Sequence, residues 1–235
     1  MNWGEYKFRC SSLGRIMTSS RTKEPLGETC KAHLLECWIK EKYGREKEII
    51  NRYLKKGLQV EEDSITLYSR AKKIFYKKNE ERLNNDYITG LPDLYQGDSI
   101  RTASLIIDLK SSWDIYTFFA NLVKALNSDY DYQLQGYMDL SGAPEARLVY
   151  CLVSTPDPLI LDEMNKLKWK MGVADPENNE VFKQACEYLE TAMKFDDIPL
   201  EDRYIEFIIP RDQKKIDGIH TRVEECREFL NKLKP

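Results

Sequence analysis

With 235 residues, 42% of them hydrophobic and 32% charged, and a formal net charge of −3, the sequence has the make-up of a globular protein able to bury a sizeable core. No apolar run approaches the roughly 20 residues of a membrane span, and the opening MNWGEYKFRC lacks the apolar core of a secretion signal. The expectation is a cytoplasmic protein with no membrane partner.

The first segment, Tyr6 to Thr18, mixes Arg9, Ser11, Ser12 and Gly14 where a short helix begins, with Ser11 or Ser12 as N-cap. Exposed amides, the two hydroxyls and Arg9 would make a phosphate cradle; the plainer reading is a helix cap. A polar loop from Thr18 to Gly27 leads into a helix from Glu28 to Tyr43, with Leu34, Leu35, Trp38 and Ile39 as its buried stripe. A second helical stretch, Ile49 to Phe75, is expected to break near Gly57. On it Glu61, Ile65 and Tyr68 share one face, so Glu61 turns inward and needs a partner. Its neighbour Glu62 reads as the surface member of the pair.

Two short strands follow, Tyr87 to Leu94 and Ser104 to Asp108, joined by the turn Gln96-Gly97-Asp98. Asp114 then starts a helix running to Leu126, and a second helix covers Tyr130 to Met138, with Gln133 and Tyr137 one turn apart on one face. Ala146 to Ser154 is an apolar run of strand length, suited to the middle of a sheet. Asp157 caps, and Pro158 opens, a helix to Met171. A helix from Pro176 to Met193, a strand from Tyr204 to Ile209 and a helix from Arg211 to Leu233 complete the chain. This order predicts a single α/β domain over residues 1–235, with a central mixed sheet flanked by helices.

Charge is unevenly spread. Residues 1–80 carry 18 Lys+Arg against 11 Asp+Glu, a balance of +7, and residues 81–235 carry 18 against 28, a balance of −10. A local basic face binds phosphates whatever the total charge, because screening makes distant charges matter little. Taken one at a time, the lysines of KKGLQ and RAKKIFYKK are better read as solvated helix faces. The six cysteines form no Cys-x-x-Cys pair, so packed, reduced thiols are expected and an iron–sulfur cluster is not.

The chemistry concentrates between Gly90 and Ser112. Asp93 follows Pro92, and Asp108 is followed at the second position by Lys110. Alternation along a strand puts Asp108 and Lys110 on one face and Ile107 and Leu109 on the other. Two hard carboxylates suit Mg²⁺, which takes one or two protein carboxylates together with substrate phosphate. A neighbouring ammonium would orient, or help deprotonate, an attacking water in metal-assisted hydrolysis of a phosphodiester. The bland alternative is a Pro-Asp turn beside a solvated strand edge.

The succession Gly57-x-x-x-Glu61, Pro92-Asp93, Asp108-x-Lys110 and Gln133-x-x-x-Tyr137 resembles the PD-(D/E)xK nucleases, and within them the YqaJ-type, phage lambda exonuclease-like family. FRCSSLGRIMT also looks like the opening of such phage proteins. By motif the resemblance covers residues 6–155, which implies a restriction-endonuclease-like core there and an extension over 156–235. It implies that Glu61, Asp93 and Asp108 ligate Mg²⁺, with Mn²⁺ able to substitute and the Leu109 carbonyl as a further ligand. Glu61 is taken over Glu62 on its spacing from Gly57. Lys110 would orient the water, Gln133 would support the site with Tyr137 beside it, and Arg9 with Ser11 or Ser12 would hold a 5′ phosphate. Asp108 stands where many relatives carry glutamate.

The activity so implied is Mg²⁺-dependent 5′-to-3′ digestion of double-stranded DNA ends, in phage-type recombination with a single-strand annealing partner. The resemblance also implies a homo-oligomer, a ring-shaped trimer, in the bacterial host cytoplasm. Two alternatives stand beside it: a RecB-like nuclease acting on single-stranded, flap or junction DNA, and a catalytically inactive DNA-binding protein that keeps the fold.

Overall fold

A computed structural model describes residues 2–20, 23–47, 52–124 and 126–234. In chain order the elements are β1 (Phe8–Arg9), α1 (Leu13–Ile16), α2 (Glu28–Tyr43), α3 (Arg52–Gln59), α4 (Glu61–Lys72), β2 (Leu83–Asn84), β3 (Ile88–Gly90), β4 (Leu94–Gln96) and β5 (Leu105–Ser111). They continue with α5 (Ile115–Phe119), α6 (Ser128–Ser141), β6 (Glu145–Cys151), α7 (Asp157–Met171), α8 (Glu180–Thr191), β7 (Tyr204–Pro210) and α9 (Gln213–Lys232). Among the described residues no helix is long and apolar enough to cross a membrane.

Four strands form the central sheet in the order β4-β5-β6-β7, with β5 and β6 parallel and the outer pairs antiparallel. A small second sheet runs β1-β3-β2. Period-two alternation along β5 divides the core. Ile106 faces one layer with Leu134 and Met138 of α6, Leu34 of α2 and Ile219, Val223 and Leu230 of α9. Ile107 and Leu109 face the other, with Ile65, Leu67 and Tyr68 of α4. Asp108 and Lys110 share the parity of Ile106 and so point toward α6. The close approach of α1 to α6 depends on Gly14: a Cβ there would lie 2.5 Å from the Asp129 Cα. Strand β7 and helix α9, which fall within the stretch read as an extension, complete this sheet and its core.

Several elements differ from the sequence reading. The expected strand from Tyr87 to Leu94 is two strands in two different sheets, because Pro92 has no N–H to give to a ladder and the chain turns there. Strand β5 runs on to Ser111 and so carries Lys110. The second helical stretch breaks at Val60, and Gly57 lies inside α3; the expected start at Ile49 falls outside the described residues. On α2 Leu35 is 45% exposed, and Cys30 and Cys37 join Leu34 and Trp38 inside instead. Ser12 holds the N-cap position of α1, as expected for one of the two serines, but makes no capping hydrogen bond: it ends a 3-10 turn and its hydroxyl donates to the Arg9 carbonyl. Asp157 is the first residue of α7 and makes no cap, while Asn179 caps α8 beyond the expected start at Pro176. The expected helix from Asp114 gives way to a 3-10 turn at Ala120–Leu122.

The cysteines are free thiols, five of them buried. Cys30 on α2 and Cys226 on α9 bring their sulfurs within 3.7 Å.

Candidate active site

A cleft of about 820 Å³ opens at the end of β5. Tyr53, Leu54, Leu58 and Glu61 line one wall; Thr117, Asn121 and Lys124 line the other; Asp93, Lys110, Gln133 and Tyr130 lie between them.

The turn at Pro92 positions the first carboxylate. Continuing the β4–β5 register one step beyond Leu94↔Ile107 sets Asp93 opposite Asp108, and one step further sets Pro92 opposite Leu109. Pro92 cannot donate to that ladder, and its carbonyl accepts from the Asn79 amide at 3.0 Å. The Leu109 N–H, left without a strand partner, donates to Asp93 Oδ2 at 2.7 Å. In an extended strand the N–H and C=O of one residue leave on the same edge, so the Leu109 carbonyl also faces the Asp93 side.

The second carboxylate is sealed into the core face of β5. Asp108 is 1% exposed. Its Oδ1 accepts from the Gln133 amide at 3.0 Å, and the same Gln133 nitrogen donates to the Tyr137 hydroxyl at 2.9 Å. Its Oδ2 lies 2.5 Å from Lys110 Nζ, an ion pair without a well-aligned hydrogen bond. The Lys110 ammonium also sits 5.2 Å from the centre of the Tyr130 ring. Burial raises the Asp93 carboxyl above the usual range, and the neighbouring Asp108 adds to the effect while Lys110 opposes it. Burial disfavours the Lys110 ammonium, yet Asp108 and then Asp93 outweigh it and hold its pKa above that of an ordinary lysine. Burial, with Asp108 nearby, likewise raises Tyr137.

The structure therefore brings Asp93, Asp108, Leu109, Lys110, Gln133 and Tyr137 together. Glu61 stands on the same cleft, at the first turn of α4, but its carboxylate accepts from Lys78 at 2.7 Å, and Glu62 lies 3.6 Å from the same ammonium. The partner that an inward Glu61 needs is thus a lysine. Among the described residues no three His, Cys, Asp or Glu side chains gather as a metal-holding group, the Glu61 carboxylate being turned to Lys78. The phosphate cradle is also divided: Ser11 lines the cleft, whereas Arg9 and Ser12 line a separate cavity of about 300 Å³ with Lys7, Arg15, Lys40 and Lys47.

A divalent cation fits what remains. Buried Asp108 pairs with Lys110 yet keeps one oxygen without a well-aligned donor, partly exposed Asp93 lies beside it on the cleft, and a main-chain carbonyl faces them, all hard oxygen donors. Sequence reasoning missed Asn79, whose buried amide donates to the Pro92 and Glu81 carbonyls and whose N–H donates to the Asp93 carbonyl at 2.8 Å. It also missed Lys78. Both lie between helix and strand, where no hydrophobic period marks a position.

No protein-family model and no curated protein sequence matches the chain. Solved structures do. A phage-related exonuclease from Haemophilus somnus 129PT is similar over 97% of this chain and 94% of its own, with 28% identity and a TM-score of 0.74. An alkaline exonuclease from Laribacter hongkongensis is similar in fold over 98% of this chain and 89% of its own, with 16% identity and a TM-score of 0.63. Its complex with dAMP gives 17% identity and a TM-score of 0.61, over 96% and 88% of the two chains. Its mixed sheet, its Pro92-Asp93 turn and Asp108-x-Lys110 strand, and its likeness to a phage-related exonuclease over nearly its whole length support the resemblance of the chain to the lambda exonuclease-like, YqaJ-type nucleases.

Proposed function

We propose that this protein is a metal-dependent exonuclease that hydrolyses phosphodiester bonds from the 5′ ends of double-stranded DNA. The observation that carries the reading is the pair of carboxylates, buried Asp108 and partly exposed Asp93, with Lys110 beside them on the cleft. Asp93, Asp108 and the Leu109 carbonyl, with Glu61, would hold a divalent cation, Mg²⁺ or Mn²⁺, which would supply Lewis-acid polarisation of the phosphodiester and activation of water.

The chain's own residues do the rest. Gln133 fixes the Asp108 carboxylate and is itself held by Tyr137. The Lys110 ammonium, anchored by Asp108, orients the water and offsets charge gathering on the phosphoryl oxygens. The water oxygen bonds to phosphorus, the P–O3′ bond breaks, and the leaving oxygen takes up a proton. Ser11 on the cleft contacts a backbone phosphate; Arg9 and Ser12 contact another in the adjoining cavity.

The same reading carries the 3′ overhang, the single-strand annealing partner and the trimeric ring that the family resemblance implies. A second reading, a nuclease for single strands or flaps, is favoured by one observation. The cleft wall exposes Tyr53, Leu54 and Leu58, an apolar surface on which unpaired bases can rest. Digestion of a blunt, 5′-phosphorylated linear duplex with Mg²⁺ and with EDTA separates these readings. Stepwise release of mononucleotides from the duplex, absent in EDTA and absent for Asp108→Asn, is the expected result. Degradation of circular single strands with the duplex untouched would favour the second reading, and metal-independent binding with no cleavage would favour an inactive DNA-binding protein.

A further inference from the structure

Helix α3 is built inside out. Its apolar residues Tyr53, Leu54 and Leu58 are 53%, 49% and 71% exposed, and the buried residue among its eight is a lysine, Lys56, at 1%. A helix normally anchors through an apolar stripe. Here the anchor is polar. The Lys56 ammonium donates to the Ser112 carbonyl at 2.7 Å and to the Trp113 carbonyl at 3.0 Å, and it sits 5.3 Å from the centre of the Phe195 ring.

Those two carbonyls belong to the chain immediately after β5, where no strand continues to use them. Half-exposed side chains of α3 add contacts across this gap: Tyr53 meets Trp113 edge-on at 5.8 Å and Arg52 lies 5.0 Å over the same ring. Ser64 of α4 adds a hydroxyl contact with Ser111 at 2.9 Å. One wall of the cleft, α3 and the first turn of α4, is thus tied to the end of the strand that carries Asp108 and Lys110.

We infer that Lys56 is a positioning residue for the reaction: its two hydrogen bonds to the Ser112 and Trp113 carbonyls fix the distance between the α3 wall, which leads into Glu61, and the β5 end that bears Lys110. This inference rests on the proposed nuclease function for its catalytic consequence, though not for the tie itself. Lysine suits the place because its long stem fills the gap while its ammonium offers several donors to two adjacent acceptors. Methionine fills the same space without a donor, and arginine keeps donors with a different shape.

The test uses the full chain with Lys56→Met and Lys56→Arg, after circular dichroism has shown each to be folded. Hydrogen exchange is read over residues 109–117, and kcat and KM are measured on a 5′-phosphorylated duplex with Mg²⁺. For Lys56→Met the expected result is faster exchange confined to 109–117, with kcat reduced about 10- to 100-fold and KM within about twofold, as for a group that sets geometry and does not bind substrate. Lys56→Arg should recover most of kcat. Unchanged exchange with unchanged kcat would overturn the inference, as would a raised KM at constant kcat. Should Lys56→Met fail to fold, Lys56→Gln, which keeps an amide donor, carries the same readouts. If the unaltered protein digests no DNA, the nuclease reading falls, and the exchange comparison still decides the tie.

Discussion

Asn79 shows how much of the site rests on one amide that touches no reacting atom. It is 5% exposed and satisfies the Pro92 and Glu81 carbonyls, which lie where no strand could. Asn79→Ala leaves both acceptors without that donor, and a loss of about 2 kcal/mol is expected from urea unfolding with an unchanged m value; a loss under a few tenths would mean that water replaces the amide freely. The pair of Lys78 with Glu61 is of another kind. Both side chains are about one-third exposed, so Lys78→Ala should cost less than about 1 kcal/mol. Its effect belongs to the metal: with Glu61 no longer held, the Mg²⁺ concentration giving half-maximal cleavage should fall severalfold, and a rise would show that the lysine assists the carboxylate. Both residues were illegible in the sequence, because a contact from a loop to a carbonyl or a carboxylate more than a dozen residues away leaves no period or spacing. Asp93, Asp108 and Lys110 were legible because strand alternation and a proline mark them. That Asp93 borrows the Leu109 amide was not, since it depends on where β4 stops.

Helix α3 carries a pH signature of its own. Burial pushes Lys56 down to about 7, against the pull of Asp114. Below about pH 7 both folded and unfolded chains carry the proton, so this group adds no slope. Between about 7 and the unfolded lysine value near 10.5 the unfolded chain binds more protons, so stability rises with pH, by at most about 1.4 kcal/mol per unit. The difference in unfolding free energy between the unaltered protein and Lys56→Met should therefore grow in favour of the unaltered protein from pH 7 to 10. A flat difference would show that the Ser112 and Trp113 carbonyls keep the ammonium charged throughout. Element type was widely readable: α2, α6, β6, β7 and α9 follow the periods that their residues set. Breaks were less so. Pro92 divides a run of strand residues between two sheets, Val60 and not Gly57 ends α3, and the exposed apolar side of α3 inverts the pattern by which a helix is assigned its inner face.

At the scale of the molecule, the basic balance of the first eighty residues takes on a location. Lys7, Arg9, Arg15, Lys40 and Lys47 line, together with Glu36, Glu41 and Glu46, the cavity that adjoins the cleft across the turn holding Ser11 and Ser12; Arg15, Lys40 and Lys47 are paired with Glu36 and Glu46 there, whereas Lys7 and Arg9 form no ion pair with these glutamates. Duplex binding in EDTA should weaken about a hundredfold between about 50 and 200 mM salt if about four phosphates are contacted, and fluorescence anisotropy would read the slope. A salt-independent affinity would remove the nucleic-acid reading of this face. The order of the motifs along the chain was enough to indicate the architecture, whereas the carboxylates' neighbours emerge only when β5, α6 and the Pro92 turn are packed. The two thiols between α2 and α9 join positions 196 residues apart. An oxidant that took one hydrogen from each would staple the polypeptide nearly head to tail, turning an open string into a loop with two short tails whose unravelling the covalent link would curb.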